Sequence, residues 1–410
     1  MKFLFLTQYY PPEIGAAQVR LAAVVRELLM LGHKVEVVTA LPNYPTTKIF
    51  REYEGRFYVR EEMDNLIIHR VWMYPARSVG FKRMLNYMSF TATCLFGLVR
   101  SKRPDYVFVE LPPLFLSIPA FIAARCWRAQ LILNISDLWL DAVRDLGLMK
   151  NWLMLGSAQW LEQWAFRVAD HVNAVTQGIR STLITKKGVP DAKVLFLPNG
   201  VDTELFKPAA PDHALAKCLS LTGKKIVIYA GTHGITQALE HVVYAALLLK
   251  DQRELHFIFV GEGPEKEKIS LLAEKLGLGN VSFLSQVPLE QLPRFLSISM
   301  VGLVPQRAIA LFDANRPAKL FPIMASGIPV LFSGAGESAR LIQEAKAGIV
   351  ARPEDPQALA EAITSLTDNL DLVKTFGQNA REYVQKNLRW SILVKNWLEE
   401  LCGPAPVARR

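Results

Sequence analysis

The sequence predicts an α/β protein made of two doubly wound domains in tandem, and three observations carry that prediction. Short apolar strands alternate with helical stretches along nearly the whole chain. The alternation pauses once, at a Pro/Ala-rich polar segment running from Lys207 to Asp212, and then restarts. At 410 residues the chain exceeds one ordinary domain of roughly 100–200 residues. Strands separated by helices need crossover connections, which give parallel sheets covered on both faces. Hydrophobic residues at 51% against charged residues at 21% can fill two cores and exclude a disordered chain. The expected first domain covers 1–205, with 385–410 packing back on it, and the second covers 206–384.

In the first half, residues 2–7 and 34–39 read as short buried strands. Between them, 18–31 has helical periodicity and stops at Gly32. The opening run passes directly into Gln8-Tyr9-Tyr10-Pro11-Pro12, which suits a buried strand rather than a signal peptide. Further strands are expected at 106–110, 130–134, 171–175 and 194–198, separated by helices at 81–100, 114–127 and 151–167. The second series has strands at 225–230, 256–261, 281–284, 300–304 and 329–333. Its helices are expected at 237–250, 266–276, 289–297, 318–326 and 356–369. A last amphipathic helix, rich in Trp and Leu, spans 379–401 and ends at Gly403-Pro404. Two such domains would face each other across a cleft lined by the carboxyl ends of their strands, where open α/β sheets bind ligands.

Composition narrows the function. Cys94, Cys126, Cys218 and Cys402 are widely spaced, without a C-x-x-C, so a structural zinc or a disulfide framework is not expected and a reducing cytoplasm is. No run of about eighteen apolar residues is free of charges, so no spanning helix is expected. The net charge of +9 is concentrated in one window, where Arg70, Arg77, Lys82, Arg83, Arg100, Lys102, Arg103, Arg125 and Arg128 face only Asp105 and Glu110. No nucleic-acid recognition motif accompanies it. With Phe81, Met84, Leu85, Tyr87, Met88 and Phe90 beside Lys82, Arg83, Arg100, Lys102 and Arg103, the stretch fits a salt-reversible contact with anionic lipid. It also fits a solvated basic face over a core helix.

Several turns carry candidate chemistry. After the first strand, Tyr10-Pro11-Pro12-Glu13-Ile14-Gly15-Ala16-Ala17 leads bare backbone into a helix N-terminus, a place that favours an anion. The equivalent turn in the second half is Gly231-Thr232-His233-Gly234, where Thr232 and His233 can donate to phosphate or sugar oxygens. A third, Gly261-Glu262-Gly263-Pro264, lets backbone approach a ligand closely. Each also fits a plain strand–helix turn. Asp313-Ala314-Asn315-Arg316-Pro317-Ala318-Lys319 puts a cation at a helix start, where the dipole opposes it unless an anion compensates. Asp137, just past a buried strand beside Trp139, can hold a sugar hydroxyl or accept a proton. It serves equally as a helix N-cap.

Together these residues resemble the retaining glycosyltransferases of family 4, with the two-domain GT-B fold. Within that family the similarity is to bacterial enzymes of O-antigen, capsule and colanic-acid assembly. It runs over nearly the whole chain, through Tyr10-Pro11-Pro12-Glu13 with Gly15, Arg103-Pro104-Asp105 before Pro112-Pro113, Asp137-Leu138-Trp139 and Pro198-Asn199-Gly200-Val201-Asp202. It continues through Tyr229-Ala230-Gly231, Gly261-Glu262-Gly263-Pro264 and Pro317-x-Lys319 with Met324-Ala325-Ser326-Gly327-x-Pro329-Val330.

The resemblance implies transfer of a sugar from a nucleotide-sugar, UDP-sugar favoured, to a lipid-linked saccharide with retention, on the cytoplasmic face of the membrane. It implies no metal and no cofactor. Gly15 and the 231–234 turn would hold the diphosphate, and Lys319 would neutralise it. Gly261 and Gly263 with 285–288 would border the base and ribose. Asp137 and Asp313 join Lys319 as catalytic candidates, and Glu13 joins Asp137 at the acceptor. The sequence departs from the family at Pro322, where a second acid is usual, and at Ser136, where many members carry His. Pro322 leaves open a weakly active nucleotide-sugar-binding scaffold, and the shared cleft leaves open a nucleotide-sugar epimerase, which would need acid/base carboxylates where Asp313 is the one obvious candidate.

Overall fold

The computed structural model describes residues 1–13, 15–44, 47–76, 81–145 and 151–403. The chain forms two compact units, Met1–Pro198 with Trp390–Arg410, and Asn199–Arg389.

The first unit holds eight strands: β1 (Lys2–Leu6), β2 (Lys34–Ala40), β3 (Tyr58–Met63), β4 (Leu66–Val71), β5 (Tyr106–Leu111), β6 (Gln130–Ile135), β7 (His171–Ala174) and β8 (Val194–Phe196). They lie in the order β3-β4-β2-β1-β5-β6-β7-β8. All pairs are parallel except β3 with β4. In β1, Phe3, Leu4, Phe5 and Leu6 are all buried, as a strand covered on both faces requires. β3 and β4 fall outside the predicted strands because their apolar run is broken by charge, Ile68 being followed by His69 and Arg70. Tertiary pairing absorbs that charge. His69 meets Glu36 at 3.1 Å, and Arg70 Nε donates to Glu61 at 2.7 Å.

The second unit has six parallel strands: β9 (Lys225–Ala230), β10 (Leu255–Val260), β11 (Val281–Leu284), β12 (Val301–Pro305), β13 (Val330–Ser333) and β14 (Gly348–Ala351). Their order is β11-β10-β9-β12-β13-β14. In each sheet the winding reverses beside a central strand, β1 against β5 and β9 against β12. The turns after β1 and β9 therefore leave at the switch points where such sheets bind ligands.

The expected single helix at 379–401 is two. Leu370–Asn387 belongs to the second unit, where Arg381 donates to the carbonyls of Phe206 and Ala325, both at 2.8 Å. Trp390–Cys402 belongs to the first, burying Trp390, Val394 and Trp397 among Phe3, Phe5 and Phe108. The break lies at Leu388, whose carbonyl accepts from Val201 at 2.9 Å. Val201 and Leu388 share the second unit's core, so the junctions fall at 198/199 and 389/390 rather than at 205/206 and 384/385. Arg77 and Pro404 lie outside the described residues.

Candidate functional site at the strand ends of each unit

In the second unit three sequence-predicted segments come together at the switch point. Gly231 ends β9 with φ +154, and a side chain there would meet Lys319 Cε at 3.0 Å. Gly261 and Gly263 pack against the same turn. A Cβ on Gly261 would lie 2.0 Å from the Gly231 carbonyl, and one on Gly263 would lie 2.3 Å from that of His233. On the side a Cβ would take, the close approach at Gly261 and Gly263 is to the protein's own backbone.

That packing consumes the turn's donors. The N–H of Gly231 binds Val260, that of His233 binds Glu262, and that of Gly234 binds the Gln237 side chain at 3.2 Å. Within 231–234, the N–H of the exposed Thr232 makes no hydrogen bond among the described residues. His233 departs from expectation too. Its ring is 0% exposed among Tyr229, Phe259 and Phe283, with neither nitrogen hydrogen-bonded. Burial, helped by the charges of Lys266 and Lys319, pushes its pKa down to about 4, so the imidazole is neutral. It acts as an aromatic wedge beneath the turn rather than a surface donor.

Lys319 lies at the centre. It caps the short helix Leu320–Ala325, which begins after Pro317 rather than at it. Its Nζ donates to Tyr229 Oη at 2.6 Å and sits 4.3 Å from that ring's centroid, a cation–π distance. The Tyr229 hydroxyl donates in turn to the Thr232 carbonyl at 2.5 Å. Among the described residues no carboxylate pairs with the ammonium, and burial lowers its pKa to about 7. A lysine so placed gains most from an incoming anion. Beside it, Glu262 accepts from Lys266 at 2.7 Å and also engages Ser285 and the Gln286 N–H, which joins the 261–263 turn to 285–288. Asp313 stands apart. Its backbone abuts Gly336 and its exposed carboxylate makes no hydrogen bond among the described residues. The nearby buried acid is Glu337, ion-paired to Arg316 at 2.6 Å. Pro322 lies in the first helical turn, where its missing N–H costs nothing.

In the first unit, Gly15 caps the helix Ala16–Met30 with no side-chain cap. Glu13 is a correction: it is buried, and its carboxylate accepts from the N–H groups of Asn43 and Tyr44 at 2.7 and 2.8 Å. It buttresses the loop after β2 instead of meeting an acceptor. Asp137 reaches solvent at the end of β6, yet the protein behind it raises its pKa, with the Leu138 N–H pulling the other way. Beneath these strand ends runs a buried polar ladder that no motif in the sequence marks. Arg20 pairs with Glu110, Asn134 donates to Glu110 at 2.6 Å, and Asn173 donates to Asn134 at 2.5 Å, all in register across β5, β6 and β7. A single polar residue near the end of each apolar strand was its only signal.

Residues 215–383 match the family described as glycosyl transferases group 1, and residues 15–200 match the glycosyl transferase 4-like domain. Over 414 aligned residues, covering 98% of this chain and 100% of the relative, 30% are identical to the putative colanic acid biosynthesis glycosyl transferase WcaI of Escherichia coli. The chain belongs to the group 1 glycosyltransferases.

Another relative of this glycosyltransferase, 26% identical over 62% of the chain and 67% of its own, is a GDP-mannose-dependent phosphatidylinositol monomannoside mannosyltransferase of Mycobacterium tuberculosis. In fold, it resembles sucrose-phosphate synthase of Thermosynechococcus elongatus, with a TM-score of 0.77 and 18% identity over 97% of this chain and 98% of that one. It also resembles WaaG, a glycosyltransferase of lipopolysaccharide biosynthesis, with a TM-score of 0.70 and 17% identity over 98% and 100%. The expected GT-B architecture of two Rossmann-like units is thus the one observed. The basic stretch expected at a membrane is only partly available in this glycosyltransferase. Arg70 is buried against Glu61, and Arg83 is bonded to Tyr9 and Tyr87. Lys82, Arg100, Lys102 and Arg103 are exposed.

Proposed function

We propose that this glycosyltransferase moves a sugar from a nucleotide-sugar, a UDP-sugar in first preference, to a lipid-linked saccharide, with retention of configuration and without a metal. The observation that carries the reading is Lys319, unpaired by any acid among the described residues and held by Tyr229 at the second sheet's switch point. As the bond from the anomeric carbon to the diphosphate breaks, negative charge builds on the departing phosphate. Lys319 and the Thr232 N–H are the groups preorganised to meet it. The acceptor oxygen bonds the anomeric carbon on the same face, and its proton passes to the leaving phosphate oxygen. In the first unit Asp137, with its raised pKa, is the candidate for holding an acceptor hydroxyl, and in the second the exposed Asp313, outside the Lys319 cluster, is the candidate acid for ribose.

The Anabaena protein HepE was solved in complex with UDP-glucose, and the mycobacterial relative's name specifies a lipid-borne acceptor; both support the substrate classes. The Escherichia coli relative, named for colanic acid biosynthesis, supports a role in polysaccharide biosynthesis, and the proposal puts that step on the cytoplasmic face of a membrane. Turnover against a panel of UDP-, GDP- and dTDP-sugars with a polyprenyl-diphosphate-linked acceptor tests it. Lys319→Ala is expected to lower kcat by about 10²–10³. Unchanged kinetics at saturating donor would remove Lys319 from the chemistry.

A further inference from the structure

Three helices of the first unit lie side by side: Phe81–Arg100, Ser117–Trp127 and Trp152–Val168. Phe121 and Trp164 meet edge to face at 5.3 Å and join the second helix to the third. On the first helix, Phe81, Leu85, Met88, Leu95 and Val99 are exposed, Phe81 at 76% and Val99 at 81%. Their spacing keeps them on one stripe, and Ala92, also exposed, fills its gap. The second helix adds Ile118 and Ile122, and the third adds Trp152 at 77% and Trp160 at 68%. Water-facing helices rarely present so much apolar surface across neighbours.

The charges of the first two helices have one sign. Lys82, Arg100, Lys102, Arg103, Arg125 and Arg128 are exposed, and the first two helices contain no Asp or Glu. The third contains one, Glu162, which is paired to Lys187 at 2.8 Å. A second copy of the chain would bring like charges together across the same face, whereas an anionic bilayer complements it. Exposed tryptophans beside basic side chains suit the lipid headgroup boundary. Among the described residues no helix is long and apolar enough to cross a membrane, so the surface lies on the bilayer rather than through it.

We propose that the first unit docks on an anionic lipid surface through these three helices together, inserting the Phe81–Val99 stripe with Trp152 and Trp160 between headgroups, so that once formed the contact resists salt. This rests on the membrane part of the reading above. It changes the mode from the salt-reversible contact that the basic stretch alone suggests.

The full chain is incubated with phosphatidylcholine vesicles with and without phosphatidylglycerol, and sedimentation is followed before and after a high-salt wash. All eight tryptophans lie in the first unit, so quenching by acyl-brominated lipid reports insertion of that unit alone. Binding to anionic vesicles that survives the wash, with quenching, is the expected result. Trp152→Ser with Trp160→Ser, both at exposed positions, should weaken binding about tenfold or more and remove most of the quenching while leaving the melting curve unchanged. Lys82→Glu with Arg103→Glu should slow capture at low salt. No vesicle binding, complete release by salt without quenching, or self-association that the Trp152/Trp160 variant abolishes would each overturn the proposal. Nucleotide-sugar binding measured on the same variants separates this outcome from that of the donor site. It is expected to be unchanged, and its absence in the wild type would count against the transferase reading alone.

Discussion

Lys319 is an ammonium group held by the hydroxyl and ring face of Tyr229 beside the Gly231 turn, with no carboxylate among the described residues to keep it charged. Its pKa of about 7 sets a pH dependence for the donor site. A bound diphosphate favours the charged form and raises the pKa in the complex. Affinity is then fully present below about pH 7 and declines above it, by up to about tenfold per pH unit. Calorimetric titration of the wild type with UDP should show that decline, with proton uptake on binding. Lys319→Met should bind more weakly and with no slope. A flat wild-type profile would mean that Lys319 is already charged without ligand. Among single residues Lys319 was the most legible, because a lysine directly at a helix start breaks a local electrostatic preference. His233 and Glu13 were misread for one shared reason. Sequence can identify a polar residue in a turn, but its burial is decided by segments about thirty residues away that fold over it.

At the scale of elements, the second unit's strand ends are built by turn-on-turn packing. The 261–263 backbone lies against 231–233 so closely that a methyl group at Gly261 cannot fit without moving the Gly231 carbonyl. Gly261 also has φ +147, which an L side chain rarely adopts. Gly261→Ala is expected to destabilise the protein by about 1–3 kcal/mol from overpacking alone and to displace the turn above Lys319. Gly279→Ala, where nothing lies within 4 Å, serves as the control. Urea midpoints of the two variants check this, and equal midpoints would refute the packing account. The strands of both sheets were largely legible wherever they were apolar throughout. β3, β4 and β14 were not: the first two are cut by charge that ion pairs neutralise, and β14 is a four-residue strand containing Gly348.

Across the whole molecule, the chain leaves the first unit at Pro198, builds the second, and returns at Trp390. The return segment is core material. Trp397 is fully buried, with its ring 6.1 Å from Phe3 and 6.0 Å from Phe108. Trp397→Ala should cost the first unit about 3–5 kcal/mol. Because every tryptophan belongs to that unit, fluorescence follows its unfolding while circular dichroism follows both. The variant's fluorescence midpoint should fall, and the dichroism change assigned to the second unit should stay in place. A common shift of both signals would show that the units unfold as one.

By itself the sequence determined the α/β class, the two-unit organisation and the glycine-bearing turns that follow β1 and β9. Those follow from local rules: apolar period, helix stops, and glycine where backbone must bend. Tertiary structure alone decided which polar groups in those turns stay available. The same close packing that builds the second sheet's switch point fills the N–H groups of Gly231 and His233 and buries the His233 ring, while leaving Lys319 without an acid among the described residues. Hydrogen-bond satisfaction is settled between segments distant in sequence, and no spacing rule within one segment encodes it.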